Sequence, residues 1–419
     1  MNISKINAYE VLASGGYPTV EARVELENGS VGVASVPYGA SAGSHEATVL
    51  TDGDQSRYHG KGMLGVVKTI EETIAPTLVG KAAEDQRAID HSMIALDGTP
   101  NKAKLGGNAI LAVSLAVARA AASAKKQELF QHIAETFNTQ PDYSQLPRPM
   151  MVVIEGGKHA DNTTDFQEYS LSGIAHEPSS ERIRKCLESY HALAKVLKEN
   201  NLSTNVGNEG AFAPNGIASN EAPFAFMLEA IKKAGYEPGK DIGISLDPAT
   251  SELYKDGQYH LPLENKMLTS TEMISYFKNW LEKYPIVSIE DPLAEDDWDN
   301  WVKLHQICKQ FDVQLIGDDL TVTNTIRLQK AIDLNAISAI LIKLNQIGSL
   351  TETVDTCLLA KQHGMMSVPS HRGGGETNDT AMVDLAVAVN GAYIKVGPTR
   401  GERISKYNRL MEIERHLLQ

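Results

Sequence analysis

Residues 286–291 read IVSIED, residues 313–319 read VQLIGDD and residues 337–343 read ISAILIK. Each is a short β-branched or apolar run that stops on a charged side chain, and each is followed by a stretch with helical spacing. Runs of this kind separated by helices predict parallel strands joined by crossover helices. The pattern extends outward, to IGISLD at 242–247 on one side and to MMSVPSHR at 365–372 and AYIKVG at 392–397 on the other. Two earlier runs, MMVVIEGG at 150–157 and FQEYSLSGI at 166–174, bring the count to eight. Eight is the number that closes a β/α barrel. Only about ten residues, Gly157 to Phe166, separate the first two runs. That gap is too short for a crossover helix, so the barrel is expected to start atypically, with an antiparallel hairpin.

Upstream the rhythm differs. Val20, Ala22, Val24 and Leu26 alternate with Glu21, Arg23, Glu25 and Glu27, the period of a strand with one wet face, and Asn28-Gly29 supplies a hairpin turn. From residue 62 to residue 138 the period is helical, punctuated by Gly60, Gly98 and Gly106-Gly107 into three or four helices. The fold class expected is therefore α/β: an N-terminal α+β domain (a strand meander plus helices) over residues 1–140, then an eight-stranded β/α barrel over 141–419. The Asp142–Pro149 stretch, with its two prolines, marks the boundary.

A formal charge of -14 and a pI near 5.4 give a field that repels phosphate backbones and anionic lipid, which argues against nucleic acid and membrane partners. A small anionic substrate stays possible where a few cations outweigh the global charge inside a cleft. Cys186, Cys308 and Cys357 stand singly in helix-like stretches and read as buried, inert thiols. The opening MNISKINAYEV has neither a basic start nor a long apolar run, so a cytoplasmic location is expected. The most apolar segment, NAILAVSLAVARAAASA at 108–124, contains Arg119 and reads as a buried Ala-rich helix, with no membrane span.

In a barrel, side chains at the C-terminal ends of the strands converge on one mouth. Here that rim carries Asp247, Glu290, Asp318, Lys343, His371 and Lys395. Three carboxylates drawn together repel unless a cation joins them, and an all-oxygen donor set favours Mg²⁺ over zinc. Beside such a site, Lys343 is placed to act as a base. The metal and Lys395 would disfavour its charged form. The proton worth removing lies on carbon next to a substrate carboxylate, where a metal stabilises the charge that develops; a Lys or His base with Mg²⁺ is the pattern already associated with enolase-superfamily sites. Elimination also needs an acid. Two loops offer one, VGNEGAFAPN with Glu209 and DFQEYS with Glu168. His371-Arg372 at a strand end suits anion binding.

With these residues in hand, the chain resembles enolase, the phosphopyruvate hydratase of glycolysis, over essentially its whole length. The strings that carry the resemblance include PTVEARV, GASAGSHEA, NAILAVSLA, HADN, FQEY, SIEDPL, GDDLTVTN, LIKLNQIGSLTET, SHR and KYNRL. The resemblance implies a lyase that reversibly dehydrates 2-phosphoglycerate to phosphoenolpyruvate with two Mg²⁺ per active site, the second held together with substrate. It implies metal binding by Asp247, Glu290 and Asp318, with Ser41 in the YGASAG loop helping to hold the second ion. Lys343 is implied as base and Glu209 as acid, Glu168 and Gln167 supporting it, while His159, His371, Arg372 and Lys395 contact substrate. A homodimer or higher homo-oligomer is implied as well.

Departures cluster on the phosphate, lid and acid side. Tyr38 and Ala42 stand in the lid loop, and Asn208 and Ala211 flank Glu209, where the family commonly has SGAST and GDEGG. SHRGGGE replaces the usual SHRSGE and gains a residue at Gly373–Gly375; Glu155-Gly156-Gly157 replaces NGG; and Gly15 stands where an arginine is common. Two alternatives to the enolase reaction therefore stay open: a divergent lyase acting on a related phosphonate or phosphorylated carboxylate, and a surface or scaffolding binder with weak catalysis.

Overall fold

The computed structural model describes residues 1–39 and 43–418. Strands β1 (Ile3–Leu12), β2 (Pro18–Leu26) and β3 (Val31–Ser35) form an antiparallel meander in which Ala8 pairs with Ala22 and Ala22 with Ala34. The alternation read in β2 is the one observed: Val20, Ala22, Val24 and Leu26 are buried. Their face packs on the helix Gly107–Lys125. The approach is close enough that a Cβ on Gly32 would fall 2.1 Å from Ala116 O and 2.3 Å from Ala120 N, so Gly32 and the alanines of that helix are chosen together. This helix has the length and hydropathy of a membrane span, but 83% of the relevant window is buried inside the protein, which makes it a core helix. Helical stretches at 64–78, Gln86–Asp97 and Leu129–Phe137 complete the region.

The second region begins with β4 (Arg148–Glu155), β5 (Glu168–Gly173) and β6 (Ile242–Asp247). A small meander of β7 (Tyr254–Lys255), β8 (Gln258–Leu261) and β9 (Lys266–Leu268) follows. Strands β10 (Ile286–Glu290), β11 (Gln314–Gly317), β12 (Ala339–Ile342), β13 (Met366–Pro369) and β14 (Tyr393–Val396) then alternate with helices. The eight long-range strands are ordered β13-β12-β11-β10-β6-β5-β4-β14, and a parallel bridge between Ser370 and Lys395 closes the ring. The expected hairpin is present: β4 and β5 are antiparallel, with Met150 opposite Ser172 and Glu155 opposite Glu168. Strand β5 also runs antiparallel to β6, which the sequence reading did not anticipate. Because β5 is reversed against both neighbours, its first residue, Glu168, reaches the mouth where the other strands end.

Period-two alternation decides which side chains enter the lumen. Met150, Ile316, Ala339, Leu341, Val368 and Tyr393 form one small apolar cluster, distinct from the large core between barrel and helices. On the β5, β6 and β10 side the filling is polar: Ser245 Oγ lies 2.8 Å from Ser172 Oγ and accepts from Ser288 Oγ at 2.7 Å. Two residues on from these positions stand Asp247, Glu290, Asp318, Lys343 and Lys395, so the same alternation lifts them to the rim. The three cysteines are buried, as expected, and burial pushes each thiol up to about 12.

Candidate active site

Lys395 is the hub of the mouth. Its Nζ donates to Asp247 Oδ2 at 2.8 Å and Glu290 Oε2 at 2.7 Å and lies 2.8 Å from Glu168 Oε2. The residue is only 3% exposed. Burial opposes its charge, but three carboxylates outweigh burial and hold the ammonium well above its ordinary pKa. The sequence reading made Lys395 a substrate contact; the structure makes it in addition the counterion that lets these acids share one space.

Lys343, one residue beyond β12, is ion-paired with Asp318. Burial again works against the charge and Asp318 again outweighs it, so the pKa of Lys343 is raised. Asp318 is the nearest charged group to Lys343 and outweighs both burial and the opposing charges of Arg372 and Lys395. Asp318 also accepts from Gln346 Nε2 at 2.8 Å, and Asp291 accepts the backbone N–H groups of Asp318 (2.9 Å) and Asp319 (2.7 Å).

The expected metal set is thus gathered around two lysines, Asp247 and Glu290 on Lys395 and Asp318 on Lys343. Among the described residues, the acidic trio with oxygens within 4.8 Å of one another is Asp291, Asp318 and Asp319. Asp291 and Asp319 were missed by sequence reasoning, although each directly follows a residue that it named. The donor set fits a hard divalent cation: every donor is a carboxylate oxygen, acids outnumber Lys343, Lys395 and Arg372 around the cleft, and the buried Glu290 Oε1 finds no hydrogen-bond partner among the described residues. Burial, then Asp247, drives the Glu290 pKa well above the ordinary range, the repulsion that a cation relieves. Ser41, expected to help with a second ion, lies outside the described residues, as does Ala42.

Across the ring sits a second cluster. Glu209, 1% exposed, lies 3.2 Å from His371 Nε2 and 3.4 Å from His159 Nδ1, and the same His159 Nδ1 is 3.4 Å from Glu168 Oε1. Burial raises the Glu209 pKa, but His371 and His159 outweigh it and hold the carboxyl well below its usual range. Glu168 goes the other way, pushed well above by burial and by Glu209. The two carboxyls expected to work together, Glu209 as acid and Glu168 in support, are thus shifted in opposite directions within one cluster. Gln167 lines the same cleft.

Arg372 is engaged by an acid that sequence reasoning passed over. Its Nη1 donates to Glu46 Oε2 at 2.9 Å and its Nη2 to Glu46 Oε1 at 3.1 Å, and Asn345 Oδ1 accepts at 3.3 Å. Glu46 belongs to the quoted string GASAGSHEA, so the string was visible while its long-range partner was not.

Three of the departures meet in one contact. Tyr38 and Gly375 exchange backbone hydrogen bonds of 2.9 and 2.8 Å, and a Cβ on Gly375 would lie 2.1 Å from the Tyr38 ring. A Cβ on Gly15 would lie 3.2 Å from the Tyr38 hydroxyl. The phenol thus occupies room that the two glycines leave. Gly373 in turn sits where a Cβ would be 2.6 Å from both Glu209 Oε1 and His159 Cε1, so the lengthened loop lies directly against the acid cluster.

Comparison with known families gives two matches. A family model described as "Enolase, C-terminal TIM barrel domain" matches residues 143–419, and one described as "Enolase, N-terminal domain" matches residues 3–133.

Proposed function

Since the chain belongs to the enolase family and is a lyase of that family, we propose that it reversibly dehydrates 2-phosphoglycerate to phosphoenolpyruvate in a Mg²⁺-dependent reaction. The observation that carries this reading is the position of base and acids around the ring. In the order β13-β12-β11-β10-β6-β5-β4-β14, the strand before Lys343 and the strand that Glu168 begins are four steps apart in either direction. They are diametrically opposed. A substrate in the mouth has Lys343 on one side and the Glu168/Glu209 pair on the other, as an elimination needs: a base at carbon and an acid at the departing hydroxyl.

In this reading Asp247, Glu290 and Asp318 hold Mg²⁺, with Ser41 contributing to a second ion. Bound Mg²⁺ supplies Lewis-acid stabilisation of the charge that develops on the substrate carboxylate. Lys343 is a competent base only when Asp318 is engaged elsewhere, since their ion pair holds the ammonium protonated. Glu209, oriented by His159 and His371, faces the leaving hydroxyl. Glu168, whose carboxyl is pushed above its ordinary range by burial and by Glu209, supports Glu209 through His159 Nδ1, which lies 3.4 Å from both carboxylates. Gln167 supports these acids, Arg372 and Lys395 provide positive charge for a small anion, and His371, whose pKa burial lowers, contacts it as a hydrogen-bonding imidazole. The protein acts in the cytosol, as a homodimer or higher homo-oligomer.

The packing of Tyr38 against Gly375 and Gly15, with Gly373 against Glu209, favours a second reading: the same proton abstraction on a related phosphonate or phosphorylated carboxylate. Purified protein with Mg²⁺ and 2-phosphoglycerate separates the two. Growth of the ultraviolet absorbance of the enol product supports the first. Absence of product from protein that still binds Mg²⁺ overturns it in favour of the second.

A further inference from the structure

We propose that Glu155, the last residue of β4, is a positioning residue that fixes the Glu209 loop from beneath. Its effect on turnover rests on the reaction proposed above; its effect on the loop does not. The carboxylate is fully buried, and Oε1 and Oε2 accept the Glu209 N–H at 3.2 and 3.1 Å while Oε1 also accepts the Ala211 N–H at 3.0 Å. One side chain therefore holds the backbone on both sides of Gly210. The loop wraps it tightly: a Cβ on Gly207 would lie 2.5 Å from the Glu155 carboxyl carbon. Just past the loop, attachment to β4 passes to the backbone, with Phe212 N–H donating to Val153 O and Glu155 N–H donating to Phe212 O, both at 2.9 Å. Without the Glu155 side chain, residues 209–211 would lose this anchor while Phe212 stayed in register.

Charge supports the same assignment. The groups facing Glu155 are Glu209 above it, Arg403 on the helix Gly401–Leu417, Tyr190 on the helix Ser179–Glu199 and Glu168, its register partner on β5. Burial, then Glu209, pushes the Glu155 carboxyl up to about 8, against the pull of the two N–H donors and Arg403. The folded state therefore binds this proton more tightly than the unfolded chain, whose carboxyl has the ordinary value of 4.5. Ionisation of Glu155 costs stability progressively as pH rises from about 4.5 to about 8.

The test uses the full chain with Glu155→Ala and Glu155→Gln. Hydrogen exchange followed by mass spectrometry on the 206–212 segment is expected to quicken about ten- to a hundredfold in E155A, the loss of hydrogen bonds to a buried carboxylate. E155Q, which keeps a carbonyl acceptor, is expected to recover a large part of the protection. Thermal unfolding of E155Q and of the wild type is expected to coincide near pH 4.5 and to diverge towards pH 8, with the glutamine variant the more stable. With Mg²⁺ and 2-phosphoglycerate, E155A lowers kcat more than it changes KM. Wild-type exchange rates in E155A, or E155Q and wild-type unfolding curves that stay parallel across this pH range, overturn the proposal. If wild type itself yields no phosphoenolpyruvate, the reaction assigned above falls, and the exchange and unfolding results still decide the role of Glu155.

Discussion

Replacing Lys395 with methionine removes the one cation that touches Asp247, Glu290 and Glu168 at 2.7–2.8 Å while keeping much of its volume. Breaking a buried ion pair by deleting one partner costs about 3–5 kcal/mol, because the remaining charge has neither water nor counterion. With an unfolding entropy of about 2.1 cal/mol/K per residue over 419 residues, each kcal/mol moves Tm by about 1 °C, so Tm is expected to fall by about 3–6 °C at pH 8 in the absence of divalent metal. The loss depends on pH. Burial already raises Glu168 and Glu290 above the ordinary carboxylate range, and without Lys395 they rise further, so lowering the pH neutralises them and relieves the repulsion. The deficit of K395M against wild type is therefore expected to be largest at pH 8 and to shrink towards pH 5. Differential scanning fluorimetry at the two pH values, with and without Mg²⁺, measures it, and millimolar Mg²⁺ should raise the Tm of K395M more than that of wild type. A deficit equal at both pH values, or a K395M protein as stable as wild type, refutes the claim that Lys395 is the counterion of this cluster.

Lys343→Ala is expected to lower kcat by about 10²–10⁴ without altering the far-ultraviolet circular dichroism, the span that loss of a general base produces. Gly375→Ala forces a Cβ into the Tyr38 ring and should destabilise the protein by about 1–3 kcal/mol, with Tyr38→Ala restoring most of that loss in the double variant; denaturant titration reads both. Cys186, Cys308 and Cys357 are buried with thiols pushed up to about 12, so a thiol reagent should label them at neutral pH only after unfolding, as counted by mass spectrometry.

What the sequence made legible was set by short-range rules. Alternation with period two is local, so once eight strands were recognised, the residues ending them had to share a lumen, and Asp247, Glu290, Asp318, Lys343 and Lys395 do line one mouth. The direction of β5 was half legible: a short link makes it antiparallel to β4, but nothing local fixes it against β6, from which 68 residues and two helices separate it. Pairings across the ring were not legible at all. Lys395 and Glu168 are 227 residues apart, and Arg372 and Glu46 are 326 apart. Only the folded chain identifies which acid each cation meets, as it does for Lys343 and Asp318. Glu155 escaped for a different reason. It ends a strand on a charge, as the rim residues do, but its partners are backbone N–H groups, which carry no signature in side-chain chemistry.

Turnover in the proposed reaction requires Lys343 to remove a proton from carbon on one side of the mouth while Glu209 and Glu168 act on the other. Incorporation of deuterium from heavy water at carbon 2 of 2-phosphoglycerate, followed by proton NMR with Mg²⁺ present, separates the two halves. Glu209→Gln should keep exchanging that proton while forming little phosphoenolpyruvate, and Lys343→Ala should do neither. Exchange at the wild-type rate in Lys343→Ala would contradict the account.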